Sequence, residues 1–264
     1  MGKAMQLVTG FVTAPSTTLT AWTMASGDTL GVRNFREGTR AYLLNLWCDN
    51  QAAGSIQVKS PLFHDDVTGI QANIVASNVM PLMPQFIGQR LYSQDTLSVK
   101  QSGSAIASDI ESGSLLVYYE DVTGADAKLM SPAEVFPRVR DIMVAYNTLA
   151  LGTAGGYSGE ETIIAEINNW KAQTDYALLG YVVSAECCTI GYRGNATANL
   201  RLGGPGNPTW RDLTANWFVY LSQMSGKPCI PVFNTADNAS ILIDGVQDEN
   251  GTDVLVTSYF ARLQ

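Results

Sequence analysis

The sequence predicts an all-β fold of two tandem jelly-roll β-sandwiches with short helical excursions. Short apolar runs rich in valine and tyrosine alternate with turns of glycine, proline and asparagine, which is typical of strands joined by tight loops. This pattern occurs twice along 264 residues, a length that accommodates two domains of ordinary size. Two sandwiches with Greek-key or jelly-roll connections are the architecture that this organisation favours.

An internal repeat is the main reason for dividing the chain into two similar halves. Residues 56–61 and 200–205 each place one polar residue between two apolar residues, and a proline follows three positions later. Four more pairs of segments keep the same order at offsets of 134 to 146 positions: 42–47 with 176–183, 66–68 with 212–214, 95–99 with 237–243, and 115–119 with 254–260. The alternative is that two unrelated β domains merely share strand alternation and turns.

The repeat predicts specific equivalent positions and four segments. We expect Ile56 and Val58 to be equivalent to Leu200 and Leu202, with all four side chains facing a core. The segments are an N-terminal arm (1–22), a first jelly roll (23–122), a part-helical connector (123–174) and a second jelly roll (175–264).

The predicted arm is too apolar for a free tail, which would be polar. Its apolar side chains are Met5, Leu7, Val8, Phe11 and Val12. We expect them to bury against a neighbouring subunit or the inner face of an assembly. The alternative is that residues 5–13 form an edge strand of the first module itself.

The connector contains two possible helix starts. Ser131 can be an N-cap before Pro132, and a helix there would place Val135, Val139, Ile142 and Met143 on its apolar face. Ser158 can cap a second helix, with Ile163, Ile164, Ile167 and Trp170 facing inward. Residues 69–91 and 213–221 have helical spacing of apolar residues, which predicts a short helix or an irregular excursion; a strand pair is the alternative.

The composition narrows the possible functions. Charged residues make up 15% of the chain, against about 25% in ordinary globular proteins, which indicates that much of the surface meets other protein. The net charge is −8 and no basic cluster stands out, so we expect no direct nucleic-acid binding. The N-terminal residues resemble neither a signal peptide nor a myristoylation site, and no run of 18 apolar residues could span a membrane.

The cysteines are more typical of buried thiols than of a metal site or a disulfide framework. Cys48, Cys187, Cys188 and Cys229 form no Cys-x-x-Cys pair, and three of them lie in or beside apolar runs. We therefore expect reduced, buried thiols in a protein assembled in a cytoplasm.

No group of residues has the pattern of a catalytic site. His64 is the only histidine, which nearly excludes histidine-based triads and zinc sites. Asp65 and Asp66 beside it could bind a hard cation, but a loop capped by Asp66 explains them better. Residues 248–253 fit a hairpin loop better than a calcium loop, and residues 202–206 lack the ending of a phosphate loop.

Three acidic residues of the connector also have a structural interpretation. Glu160, Glu161 and Glu166 fit a solvated helix face better than a pair of catalytic acids. We therefore expect a protein that is not an enzyme, with no catalytic, cofactor-binding or metal-binding residue and no cofactor.

Two strand-rich modules in tandem, with helical excursions and an apolar arm, resemble the double jelly-roll major capsid proteins of tailless icosahedral double-stranded DNA viruses. The resemblance covers roughly residues 20–264 and is architectural, because this family has no diagnostic short motif. It implies a homotrimer that forms a pseudo-hexameric block and tiles an icosahedral shell. It also implies assembly in the host cytoplasm into a virion, contact with neighbouring capsomers and a penton protein, and possible contact with an internal membrane.

Two other classes of function remain open. Tandem β-sandwiches also occur in carbohydrate-binding and glycan-cleaving proteins, and exposed tryptophans could stack on sugars. The candidates are Trp22, Trp47, Trp170, Trp210 and Trp217, although core packing is the simpler interpretation for most of them. A phage spike or fibre head would also be trimeric, but its trimers would stay discrete and would not tile.

Overall fold

The computed structural model describes residues 2–13, 17–25, 28–49, 52–63, 65–74, 80–81, 88–92, 95–104, 110–122, 128–163, 170–236, 241–248 and 253–264. These residues form two modules, the first between residues 2 and 122 and the second between residues 128 and 264. In the described ranges, no helix is long and apolar enough to cross a membrane.

Within the described residues of the first module, all regular elements are strands. In chain order they are β1 (Gly2–Thr13), β2 (Thr20–Ala21), β3 (Thr23–Met24), β4 (Arg40–Asp49), β5 (Gly54–Lys59), β6 (Ile70–Ile74), β7 (Met80–Pro81), β8 (Gln89–Leu91), β9 (Ser98–Ser102) and β10 (Ile110–Val122).

The second module adds short helices to its strands. In chain order its elements are β11 (Leu129–Met130), α1 (Pro132–Val135), β12 (Val139–Leu149), β13 (Glu161–Thr162), β14 (Asp175–Val183), β15 (Cys187–Arg193), β16 (Leu202–Gly206), α2 (Arg211–Thr214), α3 (Trp217–Ser225), β17 (Ile230–Asn234), β18 (Leu242–Val246) and β19 (Val254–Leu263). Single 3-10 turns lie at Phe136–Arg138, Asn195–Thr197 and Pro208–Trp210.

Each module is a sandwich of two antiparallel sheets with the same wiring. Sheet 1A has the order β3-β1-β10-β4-β7, with β8 also paired to β4, and sheet 1B has the order β2-β9-β5-β6. Sheet 2A has the order β11-β17-β14-β19-β12, and sheet 2B has the order β13-β18-β15-β16.

The equivalence of the modules appears when the short edge strands β3, β7 and β11 are left out. The eight remaining strands of each module, counted along the chain, then form one sheet of order 1-8-3-6 and one of order 2-7-4-5. This shared order is jelly-roll wiring. The predicted fold class, two tandem all-β sandwiches with short helices, is therefore confirmed.

The four sheets stack in the order 1B, 1A, 2B, 2A. One core cluster lies between sheets 1B and 1A, and a larger cluster joins the other face of sheet 1A to sheets 2B and 2A. Sheet 1A consequently has both faces buried, and Leu43 and Leu44, neighbours on β4, belong to different clusters. The apolar run at residues 42–47 predicted a strand covered on both faces, and the structure confirms it.

The N-terminal segment is not an arm, which corrects the predicted boundary between residues 1–22 and the first jelly roll. Strand β1 pairs with β10 along its length and with β3 near its C-terminal end. Ala4 and Val8 enter the core between sheets 1B and 1A, while Met5 and Leu7 enter the junction with the second module. The apolar side chains alternate between two buried faces, so β1 is a strand of the first module and not an arm. This agrees with the alternative interpretation of an edge strand, because only the two-residue strand β3 pairs with the other side of β1.

The connector at residues 123–174 is also corrected, because most of its described part belongs to the second module. Helix α1 begins at the predicted place, and Ser131 N and Oγ both donate to Glu134 Oε2 at 2.8 and 2.7 Å. Pro137 follows within one turn, and a strand begins at Val139. The predicted helical face of Val139, Ile142 and Met143 is therefore part of β12, which pairs with β19.

The second predicted connector helix is not found where it was expected to begin. Ser158 Oγ accepts from Gly245 N, and the following residues form the short strand β13 against β18. Ile164, Ile167 and Glu166 lie outside the described residues. The second jelly roll therefore begins at β12 rather than at residue 175.

Three of the five predicted repeat pairs fall on equivalent strands. Residues 42–47 and 176–183 lie on β4 and β14, residues 115–119 and 254–260 on β10 and β19, and Val99 and Ile243 on β9 and β18. The motif at 56–61 lies on β5, whereas the motif at 200–205 lies on β16, which is equivalent to β6. Ile56, Val58, Leu200 and Leu202 are all buried, as predicted, but they are not equivalent.

The remaining pair and the predicted excursions also differ between the modules. Residues 66–68 form a turn between β5 and β6, whereas residues 212–214 belong to α2, after β16. Helices α2 and α3 confirm an excursion at residues 213–221. In the first module, Ile70 and Ile74 lie on β6 rather than on a helix, and residues 75–79 and 82–87 lie outside the described residues.

The burial of the β1 side chains gives a stability prediction. Leu7 is fully buried between sheets 1A and 2B, so Leu7→Ala should lower the free energy of unfolding by about 2–5 kcal/mol. Leu62→Ala is the matched control, because Leu62 is 56% exposed and should change stability little. Guanidinium denaturation of both variants measures the difference, and equal shifts would contradict the interior placement.

Candidate functional site

The candidate functional site is the junction between the two modules. It is formed by the face of sheet 1A that points away from sheet 1B, together with sheet 2B and helix α3. Its side chains from the first module are apolar and almost fully buried: Met5, Leu7, Leu44, Trp47, Leu116 and Tyr118. The junction is therefore a continuous core and not a loose contact between domains.

An aromatic contact anchors one side of the junction. Trp47 on β4 meets Trp217 on α3 edge to face, with ring centroids 5.7 Å apart. Trp217 Nε1 also donates to the carbonyl oxygen of Gly203 at 2.9 Å, which ties α3 to sheet 2B. Aromatic pairs in this geometry stabilise by about 0.5–1.5 kcal/mol beyond the area that they bury.

A lysine of the second module binds the first module beside these rings. Lys227 Nζ donates to Glu120 Oε1 at 2.8 Å and lies 4.0 Å from the ring centroid of Tyr42 and 5.1 Å from that of Tyr118. Burial is the main reason that the pKa of Tyr118 lies far above its ordinary value, so this hydroxyl stays neutral. An ammonium over two aromatic rings is a favourable cation–π arrangement.

A buried charged cluster forms the polar centre of the junction. Arg201 Nε donates to Asp244 Oδ1 at 2.5 Å, and Arg201 Nη1 lies 3.8 Å from Asp28 Oδ2. The guanidinium also donates to Thr9 Oγ1 and Thr189 Oγ1, at 3.2 and 3.0 Å. These contacts join β1 of the first module to β15 and β18 of the second.

Backbone groups and a tyrosine extend the same cluster. Thr9 N donates to Asp28 Oδ2 at 2.7 Å, and Leu7 N donates to the carbonyl oxygen of Arg201 at 2.6 Å. Tyr157 Oη donates to Asp244 Oδ2 at 2.9 Å, and the Arg201 guanidinium lies 5.9 Å from its ring centroid. The buried charges are thus paired and hydrogen-bonded, which buried ions require.

Opposing effects set the ionisation of this cluster. Burial lowers the pKa of Arg201, but the carboxylates of Asp244 and Asp28 outweigh it, and the net pKa is raised. The pKa of Asp28 is raised because its burial outweighs the effects of Arg201 and of the Thr9 N–H. The pKa of Tyr157 is also raised, first by burial and then by Asp244.

The local sequence explains how an arginine is accommodated there. Gly191 lies opposite Asp244 on the neighbouring strand, and a Cβ atom at this position would lie 2.3 Å from Arg201 Nε. Ala198 and Asn199, in the turn that leads to Arg201, both have φ of 55°. A glycine therefore provides the space, and a tight turn directs the side chain to the first module.

The acidic pair beside the only histidine forms a turn. Asp65 Oδ1 accepts from Val67 N and Thr68 N at 3.0 and 2.9 Å, so Asp65 caps this loop rather than Asp66, which corrects the predicted cap. His64 lies outside the described residues. Among the described residues, no three His, Cys, Asp or Glu side chains are grouped to hold a metal ion.

The other motifs that the sequence singled out have structural positions. The glycine-rich run at 202–206 is the buried strand β16. Around residues 248–253, β18 belongs to sheet 2B and β19 to sheet 2A, so the segment connects two sheets and is not the predicted hairpin. Residues 249–252 of that segment lie outside the described part of the chain.

The acidic connector residues and the cysteines are likewise structural. Glu160 forms an ion pair with Arg193, and Glu161 lies on β13 rather than on a helix. The four cysteines are buried free thiols, as expected, and burial raises the pKa of the Cys229 thiol to about 12. A thiol with this pKa is unreactive at neutral pH.

Sequence reasoning did not identify the charged cluster. The motif at residues 200–205 predicts Arg201 as the polar residue of an alternating strand, and no pattern in the sequence singles out Asp28 or Asp244. A usable signal existed in the residues that follow Arg201. The strand Leu202–Gly206 carries no polar side chain, so neither of its faces suits water, and a charge beside it needs a buried partner.

Comparisons with known proteins show no family for this chain. No protein-family model matches the sequence, and no curated protein matches it. Among solved structures, the crystal structure of PBSX exported protein XepA aligns with 97% of this chain and 85% of that chain, at 8% identity and a TM-score of 0.27. Such a low TM-score gives no information on function. The chain is therefore defined by its own fold, a pair of all-β sandwiches fused through a buried junction.

The charged cluster predicts a large penalty for removing its cation. Arg201→Met leaves two carboxylates buried without their guanidinium and should lower the free energy of unfolding by about 3–5 kcal/mol. Arg211→Met is the matched control, because Arg211 is exposed on α2 and should leave stability unchanged within error. Chemical denaturation checks both variants, and equal effects would show that the cluster contributes nothing specific.

The raised pKa of Asp28 predicts a pH dependence of stability. The folded protein binds this proton more tightly than the unfolded chain, whose Asp pKa is about 3.9. The contribution of Asp28 therefore favours folding below that value and is lost as the pH rises through the folded pKa. Asp28→Asn should gain stability relative to wild type as the pH rises from about 4 to 7. Urea titrations at both ends of this pH range measure the difference in unfolding free energy between Asp28→Asn and wild type. A difference that does not change with pH would contradict the prediction.

Proposed function

We propose that this chain is the major capsid protein of a tailless icosahedral double-stranded DNA virus and that it forms homotrimers. The observation that supports this best is the fusion of two eight-stranded jelly rolls with identical strand order in one chain. Three such chains contain six similar modules, so a trimer can occupy sixfold positions in a shell. As such a protein it is a structural part of the virion and not an enzyme.

The junction supports this proposal because a shell block must hold its modules at one angle. Domains joined by a small polar contact move relative to each other by default. Here the apolar layer of sheet 1A, the Trp47–Trp217 contact and the Arg201 cluster make the two modules one continuous core. A block of constant shape suits repeated packing in a lattice.

The charge distribution supports the remaining parts of the proposal. A net charge of −8 favours contact with other capsid proteins over direct packing of the genome. We accordingly expect neighbouring capsomers and a penton protein as partners, and possible contact with an internal membrane. Assembly would take place in the host cytoplasm.

Three of the five candidate tryptophans give no support to a carbohydrate-binding surface. Trp47 and Trp217 are at most 1% exposed, and Trp22 is 9% exposed. Trp22 Nε1 donates to Gln101 Oε1 at 2.7 Å inside the first module. Stacking on a sugar requires an exposed ring face, and these three rings are occupied by core packing.

Light scattering coupled to gel filtration, followed by electron microscopy, tests the proposal. The purified chain should elute as a trimer and should form flat or curved hexagonal arrays at high concentration. A monomer that binds glycans would overturn the proposal in favour of a lectin-like protein. Trimers that remain discrete at every concentration would indicate a spike or fibre head.

A further inference from the structure

The outer face of sheet 2A, which points away from sheet 2B, is unusually apolar. Ile142 and Tyr146 on β12 and Leu255 on β19 are 54%, 48% and 42% exposed. They are three of the eight large apolar side chains that are exposed among the described residues. Val144, Thr257 and Tyr259 lie between them and are partly buried. We call these six residues outer face 2A.

The same face of the first module is completely covered. Strands β12 and β19 are the counterparts of β1 and β10, because each pair forms the first two positions of the 1-8-3-6 sheet. The outer pairs of sheet 1A are Met5 with Tyr118 and Leu7 with Leu116, and all four side chains are fully buried. Sheet 2B of the same chain covers them.

We propose that outer face 2A binds sheet 1B of a second copy of this chain, head to tail. Within one chain, the outer face of sheet 1A, which has the order 1-8-3-6, packs on the outer face of sheet 2B, which has the order 2-7-4-5. Sheet 2B is already covered in this way by sheet 1A. The corresponding open surface is the outer face of sheet 1B, so a second copy continues the stacking order 1B, 1A, 2B, 2A.

The chemistry of sheet 1B suits this role. Its outer face presents polar and cationic side chains. Gln71 and Asn73 are exposed, and Gln57, Lys59 and Lys100 are partly buried. The covered sheet 2B also presents polar groups to the first module, namely Thr189, Arg201 and Asp244. Lysines opposite Tyr146 and Tyr259 could repeat the contact that Lys227 makes with the ring of Tyr118.

The two docking faces are different surfaces, so the contact is heterologous and can form either a closed ring or an open chain. Closure after three copies rests on the proposed capsid function. The docking of outer face 2A on sheet 1B does not depend on how many copies close the ring.

The first test places a positive charge on outer face 2A. Tyr146→Lys opposes the cations of sheet 1B and should shift the assembly to monomers by light scattering. The matched control is Tyr92→Lys, because Tyr92 is 45% exposed and lies outside both docking faces. The control should assemble like wild type, and circular dichroism melts check that both variants are folded. The proposal would be overturned if the folded Tyr146→Lys variant assembles like wild type. It would also be overturned if both variants lose assembly to the same extent.

The second test identifies the partner surface. Adding Lys59→Glu and Lys100→Glu to the Tyr146→Lys chain should restore assembly, because the new lysine then meets glutamates. Reversing the exposed Lys128 and Lys171 changes the net charge equally but lies outside sheet 1B, and it should not restore assembly. Equal rescue by both pairs, or no rescue by either, would overturn the assignment to sheet 1B.

These outcomes separate this inference from the proposed function. A wild-type trimer that Tyr146→Lys leaves intact overturns the docking face but not the capsid proposal. If the wild-type protein forms open head-to-tail polymers and Tyr146→Lys abolishes them, the result supports the docking face and overturns the capsid trimer. A wild-type chain that stays monomeric at all concentrations overturns both.

Discussion

The structure depends on the need to cover sheet 1A on both faces. Strands β1, β4 and β10 carry apolar side chains at successive positions, so neither face can remain in water. Sheet 1B covers one face, and the second module covers the other. Fully burying each large apolar side chain contributes about 1.5–3 kcal/mol, so the six junction residues of sheet 1A supply a large driving force for stacking the modules.

Apolar burial alone does not define one orientation between two sheets, since such contacts are non-directional. The charged cluster adds direction, because Arg201 must meet Asp244 within its own module and Thr9 and Asp28 across the junction. A rotated or shifted module would separate Asp28 and Thr9 from Arg201 and would leave the Asp28 carboxylate without its cation, which is unfavourable in a buried site. The apolar layer therefore provides most of the free energy, and the polar cluster provides the geometry.

The two modules share their wiring but differ in the surroundings of equivalent faces. Leu7 and Leu116 on sheet 1A are buried, whereas Tyr146 and Leu255 on sheet 2A are in large part exposed. The difference arises because sheet 2A is the outermost sheet of the stack that the described residues form. An equivalent surface at the end of a stack remains open unless another molecule covers it.

The sequence by itself determined the all-β class, the two-module organisation and the two-sided burial of residues 42–47, because hydrophobic alternation and turn residues are local signals. It also located the start of α1 at Ser131 and three of the five equivalent strand pairs. It misplaced β1, β12 and the repeat at residues 200–205, because apolar alternation shows that a strand is buried but does not show which strand it pairs with. Only the tertiary structure decided those pairings and the cluster around Arg201, since Asp28, Arg201 and Asp244 are distant in sequence and meet only after two sheets have stacked.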